Sequence, residues 1–191
     1  MILYIHGFAS SGTGYKSSLF RSHYEGREPF LSPTLSVVPD LAMHTLRDLI
    51  DTLKPEHPIG LIGSSLGGFY ARIISHEYGL PAVLINPALA PHTLLRHHAQ
   101  QVRHYYDGSR FYVEESHLQA LSHMAQQTGH DDSAILVFQK KGDEILNYRT
   151  VQNTFSPEQL VLEEGGDHGF SDISRHFSHI DGFFAEASSR S

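Results

Sequence analysis

Residues 63–67 read Gly63-Ser64-Ser65-Leu66-Gly67. An apolar run at 59–62 leads into this segment, and a helix-compatible stretch at 69–77 leads out of it. A G-x-S-x-G pattern between a strand and a helix implies a sharp turn with the serine at its apex, held in strained backbone. The chain two residues before the serine approaches the chain two residues after it, so a Cβ at either place would clash. The register is unambiguous. Ser65 is flanked at this distance by Gly63 and Gly67, whereas Ser64 would be flanked by Ile62 and Leu66. The Ser65 hydroxyl is therefore expected to stand clear of the strand, beside N–H groups at a helix N-terminus.

The remaining pattern surrounds this turn with alternating strands and helices. Ile2–Ile5 is a short apolar run without polar alternation, as in a strand buried on both faces. Residues 35–38 read as a second strand stopped by Pro39, and residues 59–63 as the third. Strands are also expected at 81–85, at 134–139 and at Leu160–Glu163. Residues 41–54 carry Leu46, Leu49, Ile50 and Leu53 on one helical face and end at Pro55. Residues 172–187 repeat Ile173, Phe177, Ile180 and Phe184 at helical spacing. Strand–helix alternation of this kind predicts right-handed βαβ units and a mostly parallel sheet of about six strands with helices on both faces. The 191 residues suggest one domain over 1–191. Within it, residues 91–133 form a short cap-like insertion with Tyr105, Tyr106, Phe111 and Tyr112, followed by a helix that packs Leu118, Leu121, Met124 and Ala125. The tyrosine cluster reads equally as a pocket wall or a hinge.

Composition excludes several functions. A formal charge of −7, from 14 basic and 21 acidic residues and without a basic cluster, argues against a nucleic-acid partner. No apolar stretch approaches the ~18 residues of a membrane span. The N-terminal apolar run is short, lacks a basic leader and continues into His6-Gly7, so a cytoplasmic location is expected. The chain has no cysteine, hence no disulfide, thiolate nucleophile or Cys-based zinc site. It has 15 histidines, densest at His92, His97, His98 and His104, but no H-E-x-x-H pattern. These read as surface residues rather than metal ligands, and neither a metal nor a cofactor is expected.

In parallel sheets, ligands bind beyond the carboxyl ends of the strands. That rule selects the candidates. After the first strand comes His6-Gly7-Phe8-Ala9-Ser10-Ser11-Gly12, a loop able to aim the Phe8 N–H at the serine. Together with the Leu66 N–H it would form an oxyanion hole. His6 comes too early in the chain to be the base and reads as a residue that orients this loop. After the fifth strand, Gly142-Asp143-Glu144 offers Asp143 as a carboxylate to orient a histidine, with Glu144 a solvated neighbour. After the sixth, Gly165-Gly166-Asp167-His168-Gly169 offers His168 as general base. Asp167 is its immediate neighbour and reads as a loop or helix cap. Ser65, Asp143 and His168 then follow the Ser…Asp…His chain order of a hydrolytic triad.

With these residues in place, the chain resembles the α/β-hydrolases, and among them the small YqiA/YcfP-type esterases. The resemblance rests on Ile2-Leu3-Tyr4-Ile5-His6-Gly7-Phe8 with Ser10-Ser11, and on the elbow continued through Gly68-Phe69-Tyr70-Ala71. It also rests on Ile85-Asn86-Pro87-Ala88, Gly142-Asp143-Glu144 and Gly165-Gly166-Asp167-His168-Gly169-Phe170. One departure is the glycine-rich Ser11-Gly12-Thr13-Gly14, where such proteins often place proline. The resemblance implies an α/β-hydrolase fold with a minimal cap. It implies carboxylic- or thio-ester hydrolysis, and the leading expectation is a serine esterase of small to medium acyl esters that works through an acyl-enzyme on Ser65. The same triad would serve an acyl (CoA) thioesterase, and the same fold a catalytically idle binding protein. The expected partner is a small-molecule ester or thioester.

Overall fold

The computed structural model describes residues 1–97, 101–127 and 132–189. In chain order the elements are β1 (Ile2–Ile5), α1 (Tyr15–Tyr24), β2 (Phe30–Leu31), α2 (Pro39–Leu53), β3 (Gly60–Ser64), α3 (Leu66–Tyr78) and β4 (Ala82–Ile85). There follow α4 (Pro91–Arg96), β5 (Gln101–Arg103), β6 (Arg110–Tyr112), α5 (Glu115–Gln127), β7 (Ile135–Lys140) and α6 (Tyr148–Thr154). The chain closes with β8 (Leu160–Glu163) and α7 (Phe177–Ser189). A six-stranded sheet runs in the order β2-β1-β3-β4-β7-β8, parallel throughout. This is the α/β-hydrolase fold.

The apolar strands have no polar alternation because both sheet faces are covered. Leu3, Ile5, Leu61, Leu84 and Val137 face one core, which α2 fills with Met43, Leu46 and Ile50 and α5 with Leu118 and Leu121. Ile2, Tyr4, Ile62, Val83 and Phe138 face the other, closed by Phe20 of α1 and Ile180 of α7. β5 and β6 pair antiparallel, apart from the main sheet. No helix among the described residues is long and apolar enough to cross a membrane.

One expected strand is corrected. Residues 35–38 are not a strand; the second strand is Phe30–Leu31, paired with Ile2 and Leu3. Leu35 is buried for a different reason. Its side chain enters the core and its N–H donates to His6 Nε2 at 2.9 Å. Val38 then caps α2, with Pro39 in the first helical position, where a missing N–H costs nothing. The expected C-terminal helix is also divided: Ile173–His176 is a 3₁₀ turn before α7.

The elbow explains its own glycines. A Cβ on Gly63 would lie 2.3 Å from the Gly67 oxygen, and one on Gly67 would lie 2.0 Å from the Ile5 oxygen. Strands β1 and β3 and helix α3 can approach this closely only without side chains there. Gly67→Ala should therefore cost about 3 kcal/mol or more, since the obstructing atom is backbone that cannot swing aside. Urea unfolding of the variant against the parent measures this.

Candidate active site

The structure brings Ser65, His168 and Asp143 together at the carboxyl edge of the sheet. Ser65 follows β3 directly, with φ 55° and ψ −119°, a left-handed conformation that side chains other than glycine rarely hold. It is held there by its own peptide. Its N–H donates to Ile85 O at 3.0 Å, and its carbonyl accepts from Gly68 N at 3.0 Å and Ala88 N at 3.1 Å. The Ser65 hydroxyl lies 2.9 Å from His168 Nε2. His168 Nδ1 lies 2.8 Å from Asp143 Oδ2. A carboxylate only accepts, so the ring proton sits on Nδ1, and Nε2 is left to accept from Ser65. Ser64, by contrast, is buried and turned toward the Tyr4 hydroxyl.

Asp143 has no solvent-exposed side-chain surface. Burial pushes its carboxyl pKa up, but the hydrogen bonds from His168, Leu146 N–H and Ile145 N–H outweigh this and hold it below the ordinary aspartate range. It is ionised at neutral pH. Its contribution to stability is present in full above the free-aspartate pKa of ~3.9 and is lost as pH falls through the lower folded value.

The Gly7–Phe8 peptide passes alongside the serine. A Cβ on Gly7 would lie 3.2 Å from Ser65 Cβ and 3.9 Å from its Oγ. Leu66 opens α3, so its N–H is one of those a helix leaves without an intrahelical partner. His6 orients the loop, as expected. Nε2 accepts from Leu35, so the proton lies on Nδ1, which donates to Gly7 O at 2.8 Å. Burial lowers the His6 pKa and favours this neutral form.

A cleft of about 700 Å³ opens over the serine, walled by Phe8, Leu95, Val102, Tyr105 and Ile145 beside Ser65 and His168. The tyrosine cluster divides. Tyr105 lines the cleft and its N–H donates to Ala9 O at 2.9 Å, while Phe111 packs edge-on against Phe8 at 5.5 Å. Tyr106 packs against His104, and Tyr112 lies on the surface. The segment is thus tied to the loop that carries Phe8, as a wall. Among the described residues no group of three or more His, Asp or Glu converges as for a metal, and His98 lies outside those residues.

The family model of the uncharacterised protein family UPF0227 matches residues 1–185. The chain belongs to the UPF0227 family. Its relatives include the UPF0227 protein YcfP of Escherichia coli O9:H4 (strain HS), 25% identical over 194 residues, 96% of this chain and 98% of that one. A UPF0227 protein of Vibrio vulnificus (strain CMCP6) is 24% identical over 194 residues, again 96% of this chain and 98% of that one. Among solved structures, ferulic-acid-bound Est1E from Butyrivibrio proteoclasticus superposes with a TM-score of 0.72 and 13% identity, covering 97% of this chain and 88% of that one. The esterase domain of a Rhodothermus marinus protein gives 0.67 and 19% identity, covering 96% and 85%. At such identities these likenesses establish the fold.

Two residues of this UPF0227 site go beyond the sequence reading. Glu144 is exposed but not merely solvated: its Oε2 accepts from His168 N–H at 2.9 Å, and that bond holds its pKa down. Asn86 is fully buried at φ 42°. Its amide donates to Asp167 O at 3.1 Å and His168 O at 3.0 Å, and its Oδ1 accepts from Lys140 N at 2.9 Å. The signal was available in Asn86-Pro87, a polar residue and a proline directly after an apolar strand. Asp167 caps the loop as expected, accepting from Phe170 N–H at 3.0 Å.

Asn86→Ala should lower stability by roughly 2–3 kcal/mol, because it orphans the buried Lys140 N–H and two loop carbonyls. Asn86→Gly loses the same bonds but relieves the positive φ, so its urea midpoint should fall less.

Proposed function

We propose that this chain is a serine hydrolase of small to medium acyl carboxylic esters. The observation that carries the reading is the continuous chain from Ser65 Oγ through His168 to the buried Asp143, at 2.9 and 2.8 Å. Ser65 Oγ attacks the ester carbonyl carbon as its proton passes to His168 Nε2. Asp143 holds the ring in the tautomer that can accept this proton and stabilises the imidazolium that results. The carbonyl oxygen becomes an oxyanion facing the Phe8 and Leu66 N–H groups, each worth on the order of 10²–10³ in kcat in sites of this type. The C–O bond then breaks, His168 protonates the leaving alkoxide, and an acyl-enzyme remains on Ser65. Water repeats the sequence with His168 as base and releases the acid.

The hydrolases and esterases among the structural neighbours support the same chemical class, and the apolar cleft suits an acyl chain. Ser65→Ala and His168→Ala should each lower kcat by about 10⁴–10⁶-fold on 4-nitrophenyl acetate and butyrate. Asp143→Asn should cost up to ~10⁴ by favouring the wrong tautomer. The triple variant should be little worse than the worst single one. Near-parent activity in Asp143→Asn would move the acid role to another carboxylate. Acyl-CoA run beside the matching oxygen ester reads whether the leaving group matters.

Chemical labelling tests the register independently of any substrate. A fluorophosphonate should modify the protein once, on Ser65 by tandem mass spectrometry. Ser65→Ala should not label, and Ser64→Ala should. An adduct on Ser64, Ser10 or Ser11 would overturn both the nucleophile and the oxyanion hole assigned to it.

A further inference from the structure

The cleft over Ser65 has a charge pattern opposite to that of the chain. The protein carries a formal −7, yet the cleft is lined by two cations, Lys16 and Arg103, and by no carboxylate. Arg103 lies on the exposed strand β5. Lys16 is placed differently. It projects from the first turn of α1, and its Nζ donates to Gly169 O at 2.5 Å, on the residue that follows His168. Its ammonium is thereby fixed beside the candidate base.

Among the described residues, no carboxylate lies within ion-pair distance of Lys16. Asp167 and Asp143 are the acids whose fields reach it. Both are otherwise engaged: Asp167 caps the Phe170 N–H, and Asp143 accepts from His168 and two backbone N–H groups. The other titratable side chain lining this end of the cleft is His168, neutral in the tautomer described above. Desolvation draws the Lys16 pKa down to about 8, against the opposing pull of those two acids. The Lys16 ammonium is half-buried at the wall of the cleft and lacks an ion-pair partner among the described residues. It is also a ready counter-ion for an anion arriving in the cleft. One of its three N–H groups is spent on Gly169, and two are left, the number that meets the two oxygens of a carboxylate.

We propose that the hydrolase takes esters bearing a free carboxylate, and that the Lys16 ammonium binds it. The carboxylate belongs on the leaving-group half of the ester. His168 must deliver a proton to the leaving oxygen, and Lys16 is anchored on the residue next to His168. This substrate class rests on the hydrolase reading given above.

The experiment compares 4-carboxyphenyl butyrate with its neutral isostere 4-carbamoylphenyl butyrate, each kcat/KM divided by the ester's own hydroxide-catalysed rate. The parent should prefer the carboxylate, and Lys16→Met should cut the ratio of the two about 10–100-fold, the worth of a hydrogen bond to a charged group. Lys16→Arg should keep most of the ratio. In the parent the ratio should fall as pH rises past the Lys16 pKa. A parent ratio at or below one, or a ratio unchanged in Lys16→Met, overturns the proposal and leaves Lys16 as a latch between α1 and the loop of His168.

A second measurement needs no turnover. Lysine ¹³Cε and ¹⁵Nζ signals are titrated by NMR in protein labelled with ¹³C,¹⁵N-lysine, with the Lys16 signal identified by its absence in Lys16→Met. Benzoate should raise the Lys16 pKa and benzamide should not; equal behaviour of the two ligands refutes the carboxylate site. Absence of both hydrolysis and fluorophosphonate labelling strikes the hydrolase reading instead, while the benzoate titration still decides the anion site.

Discussion

The site depends on a serine held in backbone that serine disfavours. Ser65 sits at positive φ, which costs on the order of 1–3 kcal/mol and persists only where the surroundings over-determine it. Gly63 and Gly67 make this possible by letting β1, β3 and α3 approach to distances no side chain would allow. Backbone bonds from Ile85, Gly68 and Ala88 then hold the Ser65 peptide in place. The strain extends beyond one residue. Among the described residues, the non-glycine positions at positive φ are Ala9, Ser65, Asn86 and Phe170. They belong to the loops after β1, β3, β4 and β8, the same edge of the sheet. The fold concentrates its unfavourable backbone where the chemistry is proposed, and two cores of apolar side chains beneath offset it.

Much of this was legible in the sequence, for a physical reason. Strands buried on both faces read as unbroken apolar runs, so β1, β3, β4 and β7 stood out, as did the half-buried edge strand β8 with its apolar start, and the parallel rule then pointed to the residues just beyond them. The flanking glycines had already marked Ser65, and this rule selected Asp143 and His168 as its candidate partners. Helices α2, α5 and α7 announced themselves by an apolar stripe.

The elements that escaped are those whose stability is not local. Strand β2 is two residues between prolines, held by pairing with β1 rather than by its own pattern. Residues 35–38 looked more like a strand than β2 does, because a short apolar run cannot tell a strand from an irregular segment pinned by a side chain, here His6. Helix α1 is mostly polar and buries only Ser17, Phe20 and Tyr24, so its periodicity is faint. Missing α1 also meant missing Lys16, whose meaning depends on the distant Gly169. Asn86 was visible as a residue, but its partners lie on β7 and in the loop after β8, and no local pattern encodes them.

The loop that carries His168 shows why such partners are needed. It has left the sheet, so its backbone groups have no ladder to join, yet each must be satisfied. The structure meets this need with side chains from three directions. Glu144 accepts from the His168 N–H, Asn86 donates to the His168 carbonyl, and Asp143 accepts from the ring Nδ1–H. Asp143 and Glu144 are sequence neighbours, so their side chains diverge. One turns inward to the imidazole with no solvent exposure, and the other stays outside on the peptide. Asp167, beside His168 itself, is turned back on its own loop and cannot reach the ring's far nitrogen. This divergence answers the question that the sequence posed by placing Asp143, Glu144 and Asp167 within reach of one histidine. The ring, the N–H and the carbonyl of His168 are each fixed by a separate group, so the imidazole is aimed at Ser65 before any substrate arrives.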